Sequence, residues 1–238
     1  MDYTFDSIGS IKICQPKEGY RFSVDALILA NFVNLRKISK AIDIGAGTGI
    51  IGIILAKKYR ESYITMIEIQ PELAKLAEES IKLNNLDKKA EVICMDAKDL
   101  IHLESFHQKF DVVISNPPFR KPGTGRISPE GKKAVARHEI SLNVVDIAKI
   151  SQKLLRHRGR LFLIHLPERF TEITRILSQH FLEIKRVRFV HSRKDTPAKM
   201  VLIEAVKGGR VALKVEPPLF IYNDIGTYTD EMNRIYEI

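Results

Sequence analysis

After Lys40 the chain alternates between two kinds of segment, and this alternation limits the fold more than any other feature. "KAIDI" (40–44), "SYITMIEI" (62–69), "AEVICM" (90–95), "FDVVIS" (110–115) and "GRLFLIHL" (159–166) are short apolar runs rich in β-branched residues, the pattern of strands buried on both faces. "GIIGIILAKKY" (49–59), "PELAKLAEESIKLNN" (71–85), "SLNVVDIAKISQKLL" (141–155) and "ERFTEITRILSQHF" (168–181) have helical length and spacing. In the second of these, Pro71 suits a first turn and Asn84 and Asn85 suit a C-terminal end. "EIKRVRFV" (183–190) and "AKMVLIEAV" (198–206) follow with no helix-length segment between them, so they should pair antiparallel. Right-handed crossovers then give an α/β fold: a seven-stranded, mostly parallel sheet with one antiparallel strand and helices on both faces. Ligands of such sheets bind beyond the carboxyl ends of the strands.

Before this series, "IKI" (11–13) and "YRF" (20–22) flank "CQPKEG" (14–19). Pro16 and Gly19 are turn formers, so this stretch reads as a hairpin. "VDALILANFV" (24–33) has helical spacing, with Ser23 as its N-cap. No basic segment leading into an apolar one marks a secretory signal, and no apolar run is long enough to span a bilayer. Cys14 and Cys94 lie far apart without metal-ligand spacing and read as reduced thiols of a cytoplasmic protein, with Cys94 in a strand core. A net charge of +9 makes a surface that attracts polyanions, nucleic acid being the commonest large one.

The first strand runs directly into "DIGAGTGIIG" (43–52). Gly45, Gly47 and Gly49 allow a sharp turn and a close approach of backbone to ligand. The dinucleotide pattern G-x-G-x-x-G is also present at Gly47, Gly49 and Gly52, which brings in a nicotinamide or flavin enzyme. Its first glycine, however, lies past the end of the strand. An acid before three alternate glycines describes the run better, and an acid there suits a cation rather than a pyrophosphate. S-adenosylmethionine, with an ammonium and a sulfonium, meets that requirement: Asp43 attracts the ammonium while glycine N–H groups meet the carboxylate. Glu68 ends the second strand, where a carboxylate accepts from ribose hydroxyls. Asp96, before Ala97 in "CMDAKDL", is placed to accept from an adenine amino group. Each acid alone could equally be a loop cap; three at successive strand ends form one rim.

On that rim strand four ends in "SNPPF" (115–119). Two prolines stop a strand, but they do not account for the Asn before them. The order and spacing of "DIGAGTG", "EI" (Glu68 and Ile69), "DA" (Asp96 and Ala97) and "NPPF" (Asn116, Pro117, Pro118 and Phe119) resemble the Rossmann-like class I S-adenosylmethionine methyltransferases that modify exocyclic or amide nitrogens. The resemblance covers most of the chain. Targets of that group include adenine in nucleic acid, guanine N2 and protein glutamine. An exocyclic amine is a poor nucleophile because its lone pair is delocalised into the ring. Acceptors at the Asn116 side chain and Pro117 carbonyl would hold its two N–H groups and stabilise the positive charge that grows on attack. Phe119 would stack on the base, worth roughly 1–3 kcal/mol.

"YRFSVDALILA" (20–30), "NPPFRKPGTGRISPEGKKAVARHE" (116–139) and "PPLFIYNDIGTYTDEMNRIY" (217–236) are similar to the bacterial tRNA methyltransferases that make N6-methyladenosine beside the anticodon of a valine tRNA. The resemblance implies a segment around Tyr20, Phe22 and Asp25 folded over the methionine end of the cofactor, with Arg137, His138 and Glu139 ordering the loop by the target base. It implies two parts: a hairpin and helix over 1–35 packing on the cofactor side, and a methyltransferase domain over 36–238, a single catalytic domain overall. The span 117–140 is long for a structureless loop in a compact domain, a length that marks function or disorder. It holds Arg120, Lys121, Arg126, Lys132, Lys133 and Arg137. With Arg156, Arg158, Arg160, Lys185, Arg186 and Arg188 it suits a phosphate backbone beside the tetrad, and the single-stranded anticodon loop of a tRNA eases extrusion of one adenosine.

His102, His107 and His165 lack metal-ligand company, so no metal is expected, and Ser115 has no nucleophile-elbow context. The expected reaction is methyl transfer from S-adenosylmethionine, leaving S-adenosylhomocysteine, to adenine N6 in tRNA. Guanine N2 of ribosomal RNA or a protein glutamine stays open as the target. A nucleic-acid-binding module without transfer fits the intact Asp43, Glu68 and Asn116 less well.

Overall fold

The computed structural model describes residues 3–18, 21–118 and 142–237. Strands β1 (Tyr3–Ile8) and β2 (Ile11–Pro16) form the N-terminal hairpin, with Ile8 opposite Ile11 across Gly9 and Ser10. The turn thus precedes "IKI" instead of following it: Gly9 supplies a positive φ of 53°, whereas Arg21 and Phe22 belong to no strand. Unpaired groups on the far edge of β2 are satisfied by helix α3 (Pro71–Leu83) and its C-cap. Cys14 N–H donates to Ser80 Oγ at 2.9 Å, Lys12 N–H donates to Asn84 Oδ1, and Asn84 Nδ2 donates back to the Lys12 carbonyl. Buried Gln15 donates to Asp6 and accepts from Phe22 N–H at 2.8 Å, which fixes the entry to helix α1 (Val24–Phe32). Ser23 occupies the N-cap position of that helix without a side-chain capping bond.

The main sheet contains β3 (Lys40–Ile44), β4 (Tyr63–Glu68), β5 (Ala90–Cys94), β6 (Phe110–Ser115), β7 (Leu155–His165), β8 (Leu182–His191) and β9 (Ala198–Lys207). Their order across the sheet is β8-β9-β7-β6-β3-β4-β5, with β9 antiparallel to both of its neighbours. Two short strands, β10 (Lys214–Val215) and β11 (Leu219–Phe220), pair parallel with β8 and raise the count from the expected seven to nine. Helices α2 (Ile50–Lys58), α3, α4 (Val144–Leu154), α5 (Phe170–Gln179) and α6 (Asp230–Tyr236), with short 3-10 turns at Ala97–His102, Glu104–Phe106 and Pro167–Arg169, complete the described elements. Alternate strand residues serve two cores. Ala41, Val112 and Ile114 join α1, α2, α3 and α6 on one side, while Ile42, Ile44 and Val113 join α4 and α5 on the other. Cys94 ends the edge strand β5 and is exposed, contrary to the core position expected of it; Cys14 is the buried cysteine.

Several arginines that read as nucleic-acid contacts hold the sheet together instead. Glu204, 3% exposed in β9, accepts from both Arg160 and Arg186. Arg186 also lies 3.8 Å from the centroid of the Phe32 ring and donates to the Phe32 carbonyl at 2.7 Å. Arg188 pairs with Glu231 of α6 at 2.6 Å. Removing the shared carboxylate would leave two guanidinium groups without their buried partner. Glu204→Ala is expected to lower stability by about 3 kcal/mol in urea unfolding, against less than about 1 kcal/mol for the exposed Lys37–Glu61 pair.

Candidate active site

Parallel pairing of β5, β4, β3 and β6 brings four carboxyl ends to one edge, and the register sets their depths. Asp43 pairs with Met66 and Ile114, and Glu68 pairs with Cys94. Asp43 therefore lies two residues below Glu68, about 7 Å at strand rise, while Asp96 lies two above. Asn116, one beyond Ser115, is level with Glu68 because Ser115 pairs with Ile44. Sequence reading places Asp43 at the strand tip. In the structure it is inside the strand end, 0% exposed, with Oδ2 accepting from Gly52 N–H of α2 at 3.2 Å. Its Oδ1 has no hydrogen-bond partner among the described residues, nor has the nearby buried Thr48 Oγ1. Burial pushes the Asp43 carboxyl up to about 7; the Gly52 N–H opposes the shift and the Glu68 charge adds to it.

The glycine loop is shaped by left-handed turns at Gly45, Gly47 and Gly49, with φ of 74°, 58° and 85°. A Cβ at Gly49 would sit 3.0 Å from Met66 Sδ and 3.1 Å from Ala77 Cβ, so this glycine also permits the close seating of α2. The loop's amides are largely committed within the protein. Gly45 and Ala46 donate to the Ile67 carbonyl, Gly49 to the Ala46 carbonyl, and Gly47 to Glu68 Oε2 at 2.8 Å. Glu68, 3% exposed, accepts from Gln70 N–H through its other oxygen at 2.9 Å. It therefore braces the loop, and each oxygen retains a second lone pair.

Above Glu68 a recess is lined by Gly45, Ile67, Ile69, Met95, Asp96, Ala97 and Leu142. Four of these are expected cofactor residues: Gly45, Ile69, Asp96 and Ala97. Asp96 also caps the 3-10 turn that starts at Ala97, accepting from Lys98 N–H at 2.9 Å. Sequence reading missed Met95 and Leu142, since neither belongs to a motif. Leu142 is held by the capping box at the start of α4, in which Asn143 and Asp146 exchange bonds. Across the rim, Ser115 Oγ donates to the Ile44 carbonyl at 2.9 Å and locks β6 to β3. Asn116 follows half-buried, Pro117 is buried and Pro118 exposed. Phe22 packs against the core beside α1, and Asp25 is half-buried in the first turn of that helix, its carboxyl pushed up by burial and held back by Ser23.

Tyr20, Phe119, Arg120, Lys121, Arg126, Lys132, Lys133, Arg137 and His138 lie outside the described residues. Arg156 and Arg158 belong to the beginning of β7, at the end of the sheet away from the rim. His165, at the rim end of β7, is 1% exposed; burial, together with the Arg169 charge, pushes its pKa down to about 4. No described helix is long and apolar enough to cross a membrane.

Residues 23–192 match the family described as the methyltransferase small domain. The chain belongs to that family. It is 29% identical over 201 residues to the tRNA1(Val) (adenine(37)-N6)-methyltransferase of Porphyromonas gingivalis, which covers 82% of this chain and 77% of that protein. A relative of the same name from Aliivibrio salmonicida is 26% identical over 187 residues, covering 77% and 76%. Protein Atu636 of Agrobacterium tumefaciens, described as a predicted O-methyltransferase, superposes with a TM-score of 0.71 at 22% identity, covering 89% of this chain and 95% of that one. The fold is that of the Rossmann-like class I methyltransferases.

For this methyltransferase the height of the Asp43 pKa has a definite sign. The folded carboxyl holds its proton up to about pH 7, whereas an ordinary one releases it near 3.8. The Asp43 contribution to stability is therefore lost as pH rises from about 4 to about 7 and is level above that, while His165, kept neutral by its lowered pKa, contributes in the opposite direction between about 4 and 6.5. Asp43→Asn is expected to remove the Asp43 contribution, so that its stability relative to the wild type rises by on the order of 3 kcal/mol between pH 5 and pH 8, measured by urea unfolding of both proteins at the two pH values.

Proposed function

We propose that this methyltransferase transfers a methyl group from S-adenosylmethionine to N6 of an adenosine in tRNA, beside the anticodon. The observation that carries the proposal is a pair of acceptors at one end of the sheet: Asp43 Oδ1, buried beneath the glycine loop and unpartnered among the described residues, and the Asn116 side chain on the rim above, which has no hydrogen-bond partner among the described residues. The first fits a cationic amino-acid end. The second fits an amine that must donate two hydrogen bonds. The names of the relatives support adenine in tRNA as the source of that amine.

The donor set suits the cofactor. Asp43 attracts its ammonium through Oδ1, Glu68 accepts from ribose hydroxyls with the lone pairs left after bracing the loop, and Asp96 and Ala97 meet the adenine in the recess with Ile69. Because the amides of Gly45, Gly47 and Gly49 are already committed, the glycines contribute shape and carbonyls more than donors. Phe22, Asp25 and Tyr20 close over the methionine end, so the hairpin and α1 (1–35) act as a cofactor-side cap on the 36–238 domain. When bound, S-adenosylmethionine supplies an electrophilic methyl on a sulfonium.

Asn116 Oδ1 and the Pro117 carbonyl accept the two N6–H groups and turn the nitrogen lone pair out of ring conjugation. With the methyl donor held by Asp43, Glu68 and Asp96, transfer to the nitrogen would leave the sulfur neutral, and the two acceptors would stabilise the positive charge that passes to the nitrogen. The methylated ammonium is acidic enough to lose its proton to water, so no strong base is required. Pro117 and Pro118 hold the two acceptors rigid, Phe119 stacks on the base, and Arg120, Lys121, Arg126, Lys132, Lys133, Arg137 and His138 meet the RNA around it. We place the reaction in the cytoplasm, where tRNA is the available substrate and the two thiols stay reduced.

Asn116→Ala is expected to raise the barrier by on the order of 3 kcal/mol, a loss of about a hundredfold in kcat, while S-adenosylhomocysteine affinity stays within a few fold by calorimetry. Labelled methyl should be recovered as N6-methyladenosine after digestion of tRNA. Label recovered in protein or as methylguanosine would overturn the proposal.

A further inference from the structure

At the end of the sheet opposite the rim, two irregularities aim basic side chains at one place. Phe110 pairs with Leu155 and Val112 with Arg160, so five steps along β7 answer two along β6 and residues 156–159 leave the ladder. In β8, Ile184 pairs with Ala205 and Arg186 with Glu204, which makes Lys185 an extra residue. Bulges of this kind re-aim side chains and recur beside binding sites. Both open onto one cavity of about 510 Å³, lined by His157, Arg158, Lys185, Gly208 and Arg210.

The lining is built rather than incidental. Arg158 has a φ of 64°, a left-handed conformation unfavourable for a long side chain. Gly208 has a φ of 66°, and a Cβ there would sit 3.0 Å from the His157 ring, so the wall closes only with glycine. Lys185 Nζ donates to the Arg210 carbonyl at 2.7 Å, which holds the ammonium in place with other N–H groups to spare. Arg158 and Arg210 are exposed and have no ion-pair partner among the described residues. Glu183 lies beside this wall, against Gly209. Positive charge is dense here: burial and the neighbouring Lys153 charge push the Lys207 ammonium below its usual value. Gly208 N–H donates to the Phe181 carbonyl at 2.9 Å, and Phe181 is 70% exposed. A free phosphate ion has no use for an exposed aromatic ring, whereas an RNA chain offers riboses and unpaired bases to pack on it.

We propose that this cleft is a second RNA-contact site. Arg158, Lys185 and Arg210 hold backbone phosphates of the same tRNA whose adenosine reaches Asn116, and Phe181 packs against a sugar or unpaired base. The inference rests on the tRNA reading above. Counting about 3.3 Å per residue from Lys185 to Arg188, which the register sets level with Asn116, and about 4.8 Å per strand from β8 to β6, the two sites lie on the order of 17 Å apart. The flipped nucleotide alone does not reach the cleft; the RNA continuing from the anticodon loop does.

The test compares unmodified tRNA binding to wild type and to the triple variant Arg158→Gly/Lys185→Gln/Arg210→Gln over a range of salt concentrations. Loss of three phosphate contacts should make the slope of log K against log salt shallower by about 2 and weaken binding about tenfold. KM for tRNA should rise accordingly, with kcat at saturating tRNA within about twofold of wild type. Arg158→Gly alone should bind less tightly without melting lower, since glycine is at ease at that φ, and this separates lost contact from lost fold. Phe181→Ala should weaken binding about threefold with the slope unchanged. Affinity and slope equal to the wild type's in the triple variant overturn the cleft. If the wild type binds tRNA but methylates none, the reading of function falls by itself, because the slope comparison needs no turnover.

Discussion

A sheet buried on both faces has only its two ends to offer a ligand, and the rest of this structure follows from that constraint. Val112, Val113 and Ile114 are all fully buried, each facing a helix layer. A charged side chain in the middle of such a strand must find its partner inside the protein. Glu204 does so with two arginines. Asp43 does so only in part, through Gly52 N–H, and its position two residues below the loop explains both its raised pKa and its unpartnered oxygen. The chemistry is thereby confined to the carboxyl end, where Glu68, Asp96 and Asn116 can be held by the framework and still meet something else.

Glu68 illustrates how scaffold and site share one group. Its carboxylate fastens the amide of Gly47 on one side and that of Gln70 on the other. The loop after β3 is thus tied to the end of β4, and the rim keeps its shape without a ligand to mould it. A carboxylate that accepts charge-assisted bonds from backbone amides is pre-organised, and an incoming hydroxyl need not reorder it. Ser115 does the same for β6 by donating to the Ile44 carbonyl, which sets the depth at which Asn116 emerges.

The parallel strands, the helices between them and the antiparallel return of β9 were legible because apolar runs buried on both faces leave a strong local pattern. The hairpin was not. In β1 the aromatic residues Tyr3 and Phe5 are 46% and 60% exposed and pack edge-to-face on each other, while Asp6 turns inward to Gln15. This reverses the usual rule, and the turn formers Pro16 and Gly19 drew the expected loop to the wrong side of "IKI". The rim residues could be read from order and spacing, but the depth of Asp43 could not, since it depends on register with β4 and β6. The charge pattern misled most. Arg160, Arg186 and Arg188 count as positive residues in the sequence yet are matched by Glu204, Glu216 and Glu231 from distant segments. Only the fold separates these from Arg158 and Arg210.

The contact of Arg186 with Phe32 joins residues 154 positions apart, and α6 packs on α1 in the same core through Met232 and Ile235. The helix formed by residues 24–32 is thus covered by residues 230–236. Such long-range closure raises the mean sequence separation of contacts and slows folding. During synthesis α1 can meet α2 early, but the face that Met232 and Ile235 cover stays bare until residues 230–236 have left the ribosome. The seam between α1 and α6 therefore cannot close before the strands that separate them in sequence have been made.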